Sequence, residues 1–569
     1  MRLSPLPALR WFPLSAPVLR ADVVAGLTVG LLCVPQAMAY AQLAGMPAFY
    51  GLYAAIVPAI VGALFGWCGQ LQTGPVAMTS MVTAAVLAPF ALAGSPHYVE
   101  LAVLLGLLVG LIRLALGLCH GSFLLNVISH PVVLGFTSAA GLIIAGSQIH
   151  EVFGLPAAPR TGTFLWDEWQ VVSQLGQARI DTVAFAVTSF GLLLWMQRWK
   201  PLPAALVVSS VATVVAWLTG YAASGGHVIG AVPHSLPPLT IPAWDWAIVA
   251  DLLPGAVLVT VVGFLEVLSA SKTAAARTRQ AINLDQELVG QGLAGIAGSF
   301  TGAFPVSGSL SRSAVNLDAG AGTGISAIVT GLFVLAVLLL AAPLLYHLPV
   351  AVLAAVILAA VLSLIDLGAL NRAWRVNRHD GLTGWTTFIA TLVLAPNLVA
   401  GFAIGASLAM VLLLVRMMRP RVVVVARAGD GTWRDAHRHG LAMRDDLVLI
   451  RLDGRLSFVN VAHVEESVLE ILSRFPRMRA LVLSGDGLNE LDASGEDLLR
   501  RLHDRLGELG AVLAMCGLKA QITDTLSRSG LDQVIGAEQI YRSEDAALVA
   551  LEQRLGLDQT QPGFEQAAP

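Results

Sequence analysis

Charge and cysteine are both scarce in this chain. Charged residues make up 12% of its 569 residues, about half the share of an ordinary soluble domain. Its four cysteines stand far apart, with no CxxC pair and no histidine at ligand spacing, which argues against structural zinc and a disulfide framework. The sequence also lacks a metal constellation, a nucleophile elbow and a phosphate loop, so we expect neither an enzyme nor a cofactor. A net charge of -3 argues against a nucleic-acid partner.

What the chain has in excess is hydrophobic sequence. Hydrophobic residues make up 56% of it and the mean hydropathy is +0.74, which indicates a polytopic membrane protein. The charges are segregated, with 31 of the 71 in the first 420 positions and 40 in the last 149. We therefore predict a transmembrane domain over 1–420, a water-soluble domain over 421–557 and a disordered tail over 558–569. The N-terminus lacks a signal-peptide core and is expected to be a cytoplasmic lead-in.

Fourteen segments are predicted to lie in the membrane. Eleven are apolar runs near the roughly 20 residues that a spanning helix needs, and three, at 75–91, 286–300 and 308–318, are short or broken. Basic loops alternate with loops rich in Pro, Gly, Trp and acidic residues, which places both termini on the cytoplasmic side. The alternation requires seven segments in each half. An odd number gives the halves opposite orientation, so we predict an inverted repeat over about 20–222 and 248–418.

One interrupted segment in each half places a proline just before a Ser/Thr-rich helix start. The two segments are QTGPVAMTSMV at 72–82 and AFPVSGSLSRSAV at 303–315. Interrupted segments at corresponding positions mark the substrate site of many transporters, so these two predict half-helices that meet at the bilayer midplane. The alternative is a chance likeness between two proline-containing loops.

Two facing helix N-termini predict an anion site, because their free N–H groups and positive dipole ends attract negative charge. Hydroxyl donors are available at both helix starts. They are Thr79, Ser80, Ser307, Ser309 and Ser311. Each serine can instead act only as a helix cap.

Two ionisable residues in apolar surroundings extend this predicted site. Arg312 lies about one turn into the second half-helix, where a charge is costly, and is expected to attract the anion. Glu266 stands inside a long apolar run, where a carboxyl group can serve proton coupling. The alternatives are structural ion pairs, of Arg312 with Glu266 or Asp318, or of Glu266 with Lys272. Arg113 is expected to extend to the cytoplasmic interface and is given no role.

After residue 421, strands and helices alternate, which predicts a small α/β domain. Four stretches are typical of strands, and they begin at 421, 446, 479 and 511. Three stretches between and after them are typical of helices, and they begin at 461, 493 and 521.

Several stretches resemble the SulP family of anion transporters. GLTVGLLCVPQAMAYAQLAGMPAFYGLYAAIVPAI, at 26–60, resembles the family's opening signature. FLEVLSASK and the block QELVGQGLAGIAGSFTGAFPVSGSLSRSAVN follow in the family's order, ahead of a STAS-like C-terminal domain. The resemblance covers nearly the whole chain, and the long block is its most specific part.

The resemblance implies a fold, a mechanism and a set of site residues. The expected fold is a polytopic α-helical membrane protein, a seven-plus-seven inverted repeat with two half-helices at the midplane, plus a small α/β STAS-like cytoplasmic domain. A core bundle would carry substrate past a gate bundle, in elevator fashion, within a homodimer. The family's proton-coupling acid corresponds to Glu266. Its substrate-binding positions correspond to Gln36, Tyr40, Gly74, Pro75, Val76, Ala77, Ser309, Leu310, Ser311 and Arg312.

In the STAS-like domain, LDASGEDLL resembles the loop where soluble relatives carry a phosphorylatable residue, and Ser494 is the matching position. The alternative is a plain N-cap, in which Asp492 or Ser494 closes the first helical turn. The resemblance also implies a possible cytoplasmic protein partner at this domain.

These observations lead us to expect a bacterial-type, inner-membrane secondary transporter of a small inorganic anion. Sulfate is the first substrate expected and the proton is the expected coupling ion, with membrane lipid as the surroundings. The alternatives are a bicarbonate or C4-dicarboxylate transporter of the same fold, an anion exchanger without proton coupling, and a membrane scaffold or sensor that acts through its STAS-like domain.

Overall fold

The computed structural model describes residues 3–127, 129–155, 163–196, 198 and 204–556. The predicted disordered tail over 558–569 lies outside the described residues. The chain divides into two compact units, Met1–Ala409 and Met410–Pro569.

Helices make up most of the first part of the chain. Among the described residues, five of them are long and apolar enough to cross a membrane, and several shorter apolar helices accompany them. The helices are α1 (Ala16–Leu43), α2 (Tyr50–Phe65), α3 (Ala77–Leu87), α4 (Pro96–Leu118), α5 (His130–Ser147), α6 (Ile149–Phe153), α7 (Phe164–Ser173), α8 (Ile180–Met196), α9 (Ala204–Leu218), α10 (Trp246–Thr278), α11 (Leu284–Ser299), α12 (Leu310–Asp318), α13 (Ile325–Leu340), α14 (Val350–Val361), α15 (Leu367–Val376), α16 (Arg378–Leu394) and α17 (Leu398–Met418).

The apolar helices pack in two groups. In one group α4 and α2 lie against α11, and α1 lies against α13. In the other group α5 lies against α16, and α8 lies against α14. Small residues allow close approach within the first group, since a Cβ atom on Gly292 of α11 would lie 2.6 Å from the backbone nitrogen of Leu114 in α4. The first group holds both half-helices, α3 and α12.

The packing pairs repeat between the two halves of the chain. We match α1 to α5, α8 and α9 of the first half, in this order, with α10 to α14, α16 and α17 of the second half. Helix α1 then corresponds to α10 and α13 corresponds to α4, so the pair α1–α13 corresponds to the pair α10–α4. In the same way α2–α13 corresponds to α11–α4, and α5–α16 corresponds to α14–α8. All six pairs are in contact. An internal two-fold relation between the halves accounts for this exchange, as an inverted repeat requires.

Two short strands join the halves where the half-helices begin. Strand β1 (Thr73–Gly74) pairs antiparallel with β2 (Ser307–Gly308), with Gly74 opposite Ser307. The amide of Ser309 extends the ladder by donating to the Gln72 carbonyl at 2.8 Å. Irregular backbone at membrane depth must be satisfied by protein, and this ladder satisfies part of it.

The second unit is an α/β fold around one mixed sheet. Its elements are β3 (Arg421–Arg427), β4 (Trp433–Asp435), α18 (Ala436–His439), β5 (Leu447–Leu456), α19 (Val461–Arg474), β6 (Ala480–Ser484), β7 (Leu488–Leu491), α20 (Ala493–Glu508), β8 (Val512–Cys516), α21 (Ala520–Ser529), α22 (Leu531–Ile535), β9 (Ile540–Tyr541) and α23 (Glu544–Leu555). The strand order is β4-β3-β5-β6-β8-β9, and β7 pairs with β5. Strands β5, β6, β8 and β9 run parallel, whereas β3 pairs antiparallel with β4 and β5.

Alternate side chains of the central strands enter two apolar cores on opposite faces of this sheet. On one face Leu481 and Leu513 pack with leucines of α20, and on the other Val482 packs with Leu548 of α23. The central strands are therefore buried on both sides, which explains their nearly continuous apolar sequence. The seven strands and helices expected from the sequence are present. Strands β4, β7 and β9 and helices α18, α22 and α23 were not predicted.

Candidate functional site

The site is built where β1 and β2 lead into α3 and α12. The N-cap of α3 is Val76, which has no side-chain hydrogen bond to offer, so the amides of Ala77 and Met78 lack a side-chain cap. At α12 the Ser309 hydroxyl accepts from the Arg312 amide at 3.3 Å. The first amides of a helix have no acceptor inside it. Two helix starts with free N–H groups therefore lie on either side of one strand pair.

The hydroxyls near these helix starts have different partners. Ser307 donates to the Gly263 carbonyl at 2.6 Å, and Thr79 donates to the Val76 carbonyl at 3.3 Å. The Ser80 hydroxyl is buried and has no partner among the described residues. Two of the five predicted donors thus support the protein backbone. Ser309 and Ser311, whose hydroxyl oxygens are 3.3 Å apart, are the pair at the start of α12.

Arg312 is buried behind this helix start. Its side chain is 2% exposed, whereas Leu310 is 47% exposed. Nη1 of Arg312 donates to the Pro75 carbonyl at 2.8 Å, and Nη2 has no hydrogen-bond partner among the described residues. A Cβ atom on Gly74 would lie 3.1 Å from Nη2, so the glycine lets the guanidinium approach β1. Arg312 therefore has one donor group available for an anion.

Helices α1 and α10 bring further predicted residues to this place. Both helices pack against α12, which carries Arg312, and Tyr40 on α1 is buried. Gln36 lies one turn earlier on α1, and its buried Oε1 has no partner among the described residues. Glu266 is half-buried, and its Oε2 likewise has no partner within the described part of the chain. The structure thus brings the predicted residues of α1, α10, β1 and α12 together.

The ion-pair alternatives for Arg312 and Glu266 are wrong. Within the described residues, neither side chain forms an ion pair within 4.0 Å. Asp318 instead pairs with Arg277 at 2.6 Å on an exposed surface. A buried arginine and a half-buried carboxyl group that do not pair directly are costly, which is typical of groups retained for function.

Arg113 does not extend to the membrane interface, so that expectation is wrong. Its side chain is 1% exposed, and it donates to the carbonyls of Val306 at 2.7 Å and Val259 at 3.4 Å. A Cβ atom on Gly263 would lie 2.2 Å from Nη2 of Arg113, so this glycine of α10 makes room for the guanidinium. The sequence signal was a single arginine in an otherwise apolar stretch of α4.

The QELVGQG motif fixes the segment that precedes β1. Glu287 accepts from the amides of Trp67 and Cys68, both at 2.9 Å. Gln291 donates to the Thr73 hydroxyl at 2.8 Å and to Glu287 at 3.4 Å. These bonds connect α11 to β1 and to the segment before it, so the motif holds the first helix start in place.

Asp22 is a second buried acid that the sequence did not single out. It is 0% exposed and accepts from the amides of Gly322 and Thr323 and from the Thr323 hydroxyl. These bonds tie α1 to the turn between α12 and α13.

In the second unit, Ser494 is half-buried in the first turn of α20. The N-cap is Asp492, whose carboxylate accepts from the Gly495 amide at 2.9 Å. Asp492 therefore caps α20, as the alternative interpretation of this stretch expected, and Ser494 is not the capping residue.

This fold, with paired half-helices followed by a mixed-sheet domain, is that of a class of helical membrane transporters. The family model described as the sulfate permease family matches residues 19–387, and the STAS domain model matches residues 441–547. A probable sulfate transporter of Mycobacterium tuberculosis is 31% identical over 94% of this chain and 96% of its own length.

Two solved structures show the same architecture. The structure of SLC26A9 has a TM-score of 0.88 at 21% identity, covering 97% of this chain and 93% of its own. The transmembrane domain of the cyanobacterial bicarbonate transporter BicA has a TM-score of 0.61 at 25% identity, covering 68% of this chain and 98% of its own.

The chain belongs to the sulfate permease family. It is an anion transporter with a C-terminal STAS domain, and its family is one of transporters, not enzymes. The predicted family and fold class are confirmed.

Proposed function

We propose that this protein takes up sulfate by proton symport. The observation that supports this proposal most directly is the pair of helix starts on either side of β1 and β2, with buried Arg312 beside them. An anion placed there would meet the backbone amides of Ala77 and Leu310 and the free Nη2 of Arg312. Charge-assisted hydrogen bonds of this kind are about twice as strong as neutral ones.

The proposed substrate-binding residues come from three places. Gln36 and Tyr40 lie on α1. Gly74, Pro75, Val76 and Ala77 lead into α3, and Ser309, Leu310, Ser311 and Arg312 lead into α12. Pro75 contributes through its carbonyl, which holds Arg312, and Gly74 contributes space.

Glu266 is the proposed proton-coupling residue. It is a half-buried carboxyl without a direct ion pair, and the charges of Arg113 and Arg312 act on it. A carboxyl group in this position can accept a proton on one side of the membrane and release it on the other. Its charge state then changes the field at the anion site.

The proposed movement is of elevator type. The first packing group, α1–α4 with α10–α13, holds all of the proposed membrane-site residues. It would carry the anion past the second group, which would stay fixed in a homodimer. We place the protein in the inner membrane with both termini cytoplasmic. The transmembrane domain is proposed to span 1–420 and the STAS-like domain 421–557, with Ser494 as a candidate regulatory site.

A bicarbonate transporter of the same fold is the second candidate, and the likeness to BicA favours it. A C4-dicarboxylate transporter or an exchanger without proton coupling would use the same anion site. Backbone amides recognise charge and shape, so the same amides can bind each of these anions. The candidates differ in coupling and in the size of the anion.

Uptake of labelled sulfate into proteoliposomes at two external pH values tests the proposal. We expect faster uptake at the lower external pH, and loss of this pH dependence in Glu266→Gln. Asp251→Asn, an exposed carboxylate on the same helix, is the control and should behave as wild type. Uptake of bicarbonate or succinate without sulfate would contradict the substrate, and unchanged pH dependence in Glu266→Gln would contradict its role.

A further inference from the structure

Two buried arginines hold the strand pair from opposite halves of the chain. Arg312, in the second half, donates to the carbonyl of Pro75 in the first half. Arg113, in the first half, donates to the carbonyl of Val306 in the second half. Because Gly74 is opposite Ser307, Pro75 and Val306 are the next opposed positions in the same register. Each guanidinium group therefore binds the extended segment that belongs to the opposite half of the chain.

Arg113 comes close to both half-sites. The position that a Cβ atom would take on Gly263 is 2.2 Å from Nη2 of Arg113, 3.0 Å from the Thr79 side chain and 3.2 Å from the Ser307 hydroxyl. Thr79 belongs to α3 and Ser307 to β2. Gly263 lies one turn before Glu266 on α10, so Arg113, both half-sites and the carboxyl group converge on this part of α10.

The charged and titratable groups around Glu266 come from three neighbouring helices. Helix α4 contributes Arg113, α12 contributes Arg312, and α1 contributes the Tyr40 hydroxyl, with the Cys33 thiol beside it. Helix α3 has no titratable side chain. Both arginines lack a carboxylate within 4.0 Å among the described residues. Since arginine stays protonated in proteins, the two guanidinium charges are permanent.

We propose that Arg113 determines the selectivity of the site for divalent anions. Two permanent positive charges and an ionised Glu266 leave one net positive charge, which matches a monovalent anion. When Glu266 binds a proton the net charge becomes two, which matches a divalent anion. Arg113 supplies the charge that makes this second state possible, and it acts through the electrostatic field without contacting the anion.

We call this dependence of the net charge on Glu266 protonation the charge rule. It rests on the proposed function and deepens it, since it explains how one bound proton would favour one divalent anion. A unit charge near the anion, in partly buried surroundings, changes the relative affinity for divalent over monovalent anions by on the order of tenfold or more. The same charge has a smaller effect on a monovalent anion because the interaction scales with the anion's charge.

The test measures binding of sulfate and chloride to the detergent-purified full chain by calorimetry, at pH 6 and pH 8. Arg113→Gln keeps a donor for the Val306 carbonyl and removes the charge, whereas Arg113→Lys keeps the charge. We expect Arg113→Gln to weaken sulfate binding about tenfold more than chloride binding, and Arg113→Lys to retain the wild-type ratio. Arg277→Gln, at the exposed pair with Asp318, is the matched control.

An unchanged sulfate-to-chloride ratio in Arg113→Gln overturns the proposal. If that variant does not fold, Glu266→Gln decides, because it fixes the site at two positive charges with Arg113 intact. It should bind sulfate at pH 8 more tightly than wild type, and no gain overturns the charge rule. Failure of the proposed function is seen separately, as absence of sulfate uptake by wild type, and succinate then replaces sulfate as the divalent probe.

Discussion

Arg312 Nη1 lies 2.8 Å from the carbonyl oxygen of Pro75, a residue 237 positions earlier in the chain. This bond joins the second half-helix to the extended segment of the other half. It also uses a carbonyl that cannot serve a regular strand or helix at that point, because the chain changes there from β1 to α3. One side chain therefore supports the irregular backbone and supplies positive charge to the same place.

Removal of Arg312 is expected to impair anion binding more than folding. Arg312→Ala removes the charge and the Pro75 bond, so the KM for sulfate should rise on the order of ten- to a hundredfold. Arg312→Lys keeps the charge without the forked geometry and should give an intermediate value. Concentration-dependent uptake measures this, with Arg277→Ala as the control. An unchanged KM in Arg312→Ala would remove Arg312 from the site.

Gly74 is predicted to be required for the position of the Arg312 guanidinium. In Gly74→Ala the new methyl group would lie 3.1 Å from Nη2, so the guanidinium must shift by a few tenths of an ångström. We expect about a fivefold rise in KM, which corresponds to roughly 1 kcal/mol. Gly191→Ala on α8, where a Cβ atom meets nothing within 4 Å, is the matched control. Equal behaviour of the two variants would show that Gly74 has no such role.

Asp22 is expected to stabilise the transmembrane domain without taking part in transport. Asp22→Ala would leave the buried Thr323 amide and hydroxyl unpartnered, each at a cost of about 1–3 kcal/mol, and would release the amide of exposed Gly322 to solvent. Thermal unfolding in detergent should show a large loss of stability. Thr323→Val removes only one donor and should have a smaller effect. Wild-type stability of Asp22→Ala would contradict the importance of these bonds.

Much of the fold follows from the sequence because hydrophobic periodicity and length determine it. The broken segments at 72–82 and 303–315 indicated the half-helices, and the alternation after residue 421 indicated the α/β domain. The two-residue strands β1 and β2 are too short for any periodicity, so the sequence did not predict them. Strand β4 and helix α23 depend on packing against the rest of the sheet, which is a property of the folded unit.

The candidate site was predicted less completely, because distant partners decide what each side chain does. Ser307 was expected as an anion donor, but its partner is the Gly263 carbonyl, 44 positions away. Arg113 was given no role, since its acceptor at Val306 is 193 positions away. Neither partner has a signature in the sequence near the residue. Arg312 was recognised because its cost in an apolar segment is visible locally.

The stability of the second unit is predicted to depend on pH through Asp486. Asp486 is an exposed residue, yet partial desolvation of its carboxyl group, together with the neighbouring Glu544 carboxyl, raises its pKa above the ordinary value. An acid whose pKa is raised on folding stabilises the fold while protonated and loses that contribution as pH rises through the folded value. The contribution is therefore complete below about pH 4, the ordinary value for aspartate, and is lost toward neutral pH.

Asp486→Asn removes this charge and keeps the shape of the side chain. We expect its melting temperature in a fragment covering 421–556 to exceed that of wild type at pH 7. The difference should shrink toward zero as pH falls below about 4, where Asp486 becomes protonated in both states. Glu508→Gln, at the end of α20, removes an exposed carboxylate and serves as the control. A melting temperature of Asp486→Asn equal to or below that of wild type at pH 7 would show that the ionised pair does not destabilise the domain.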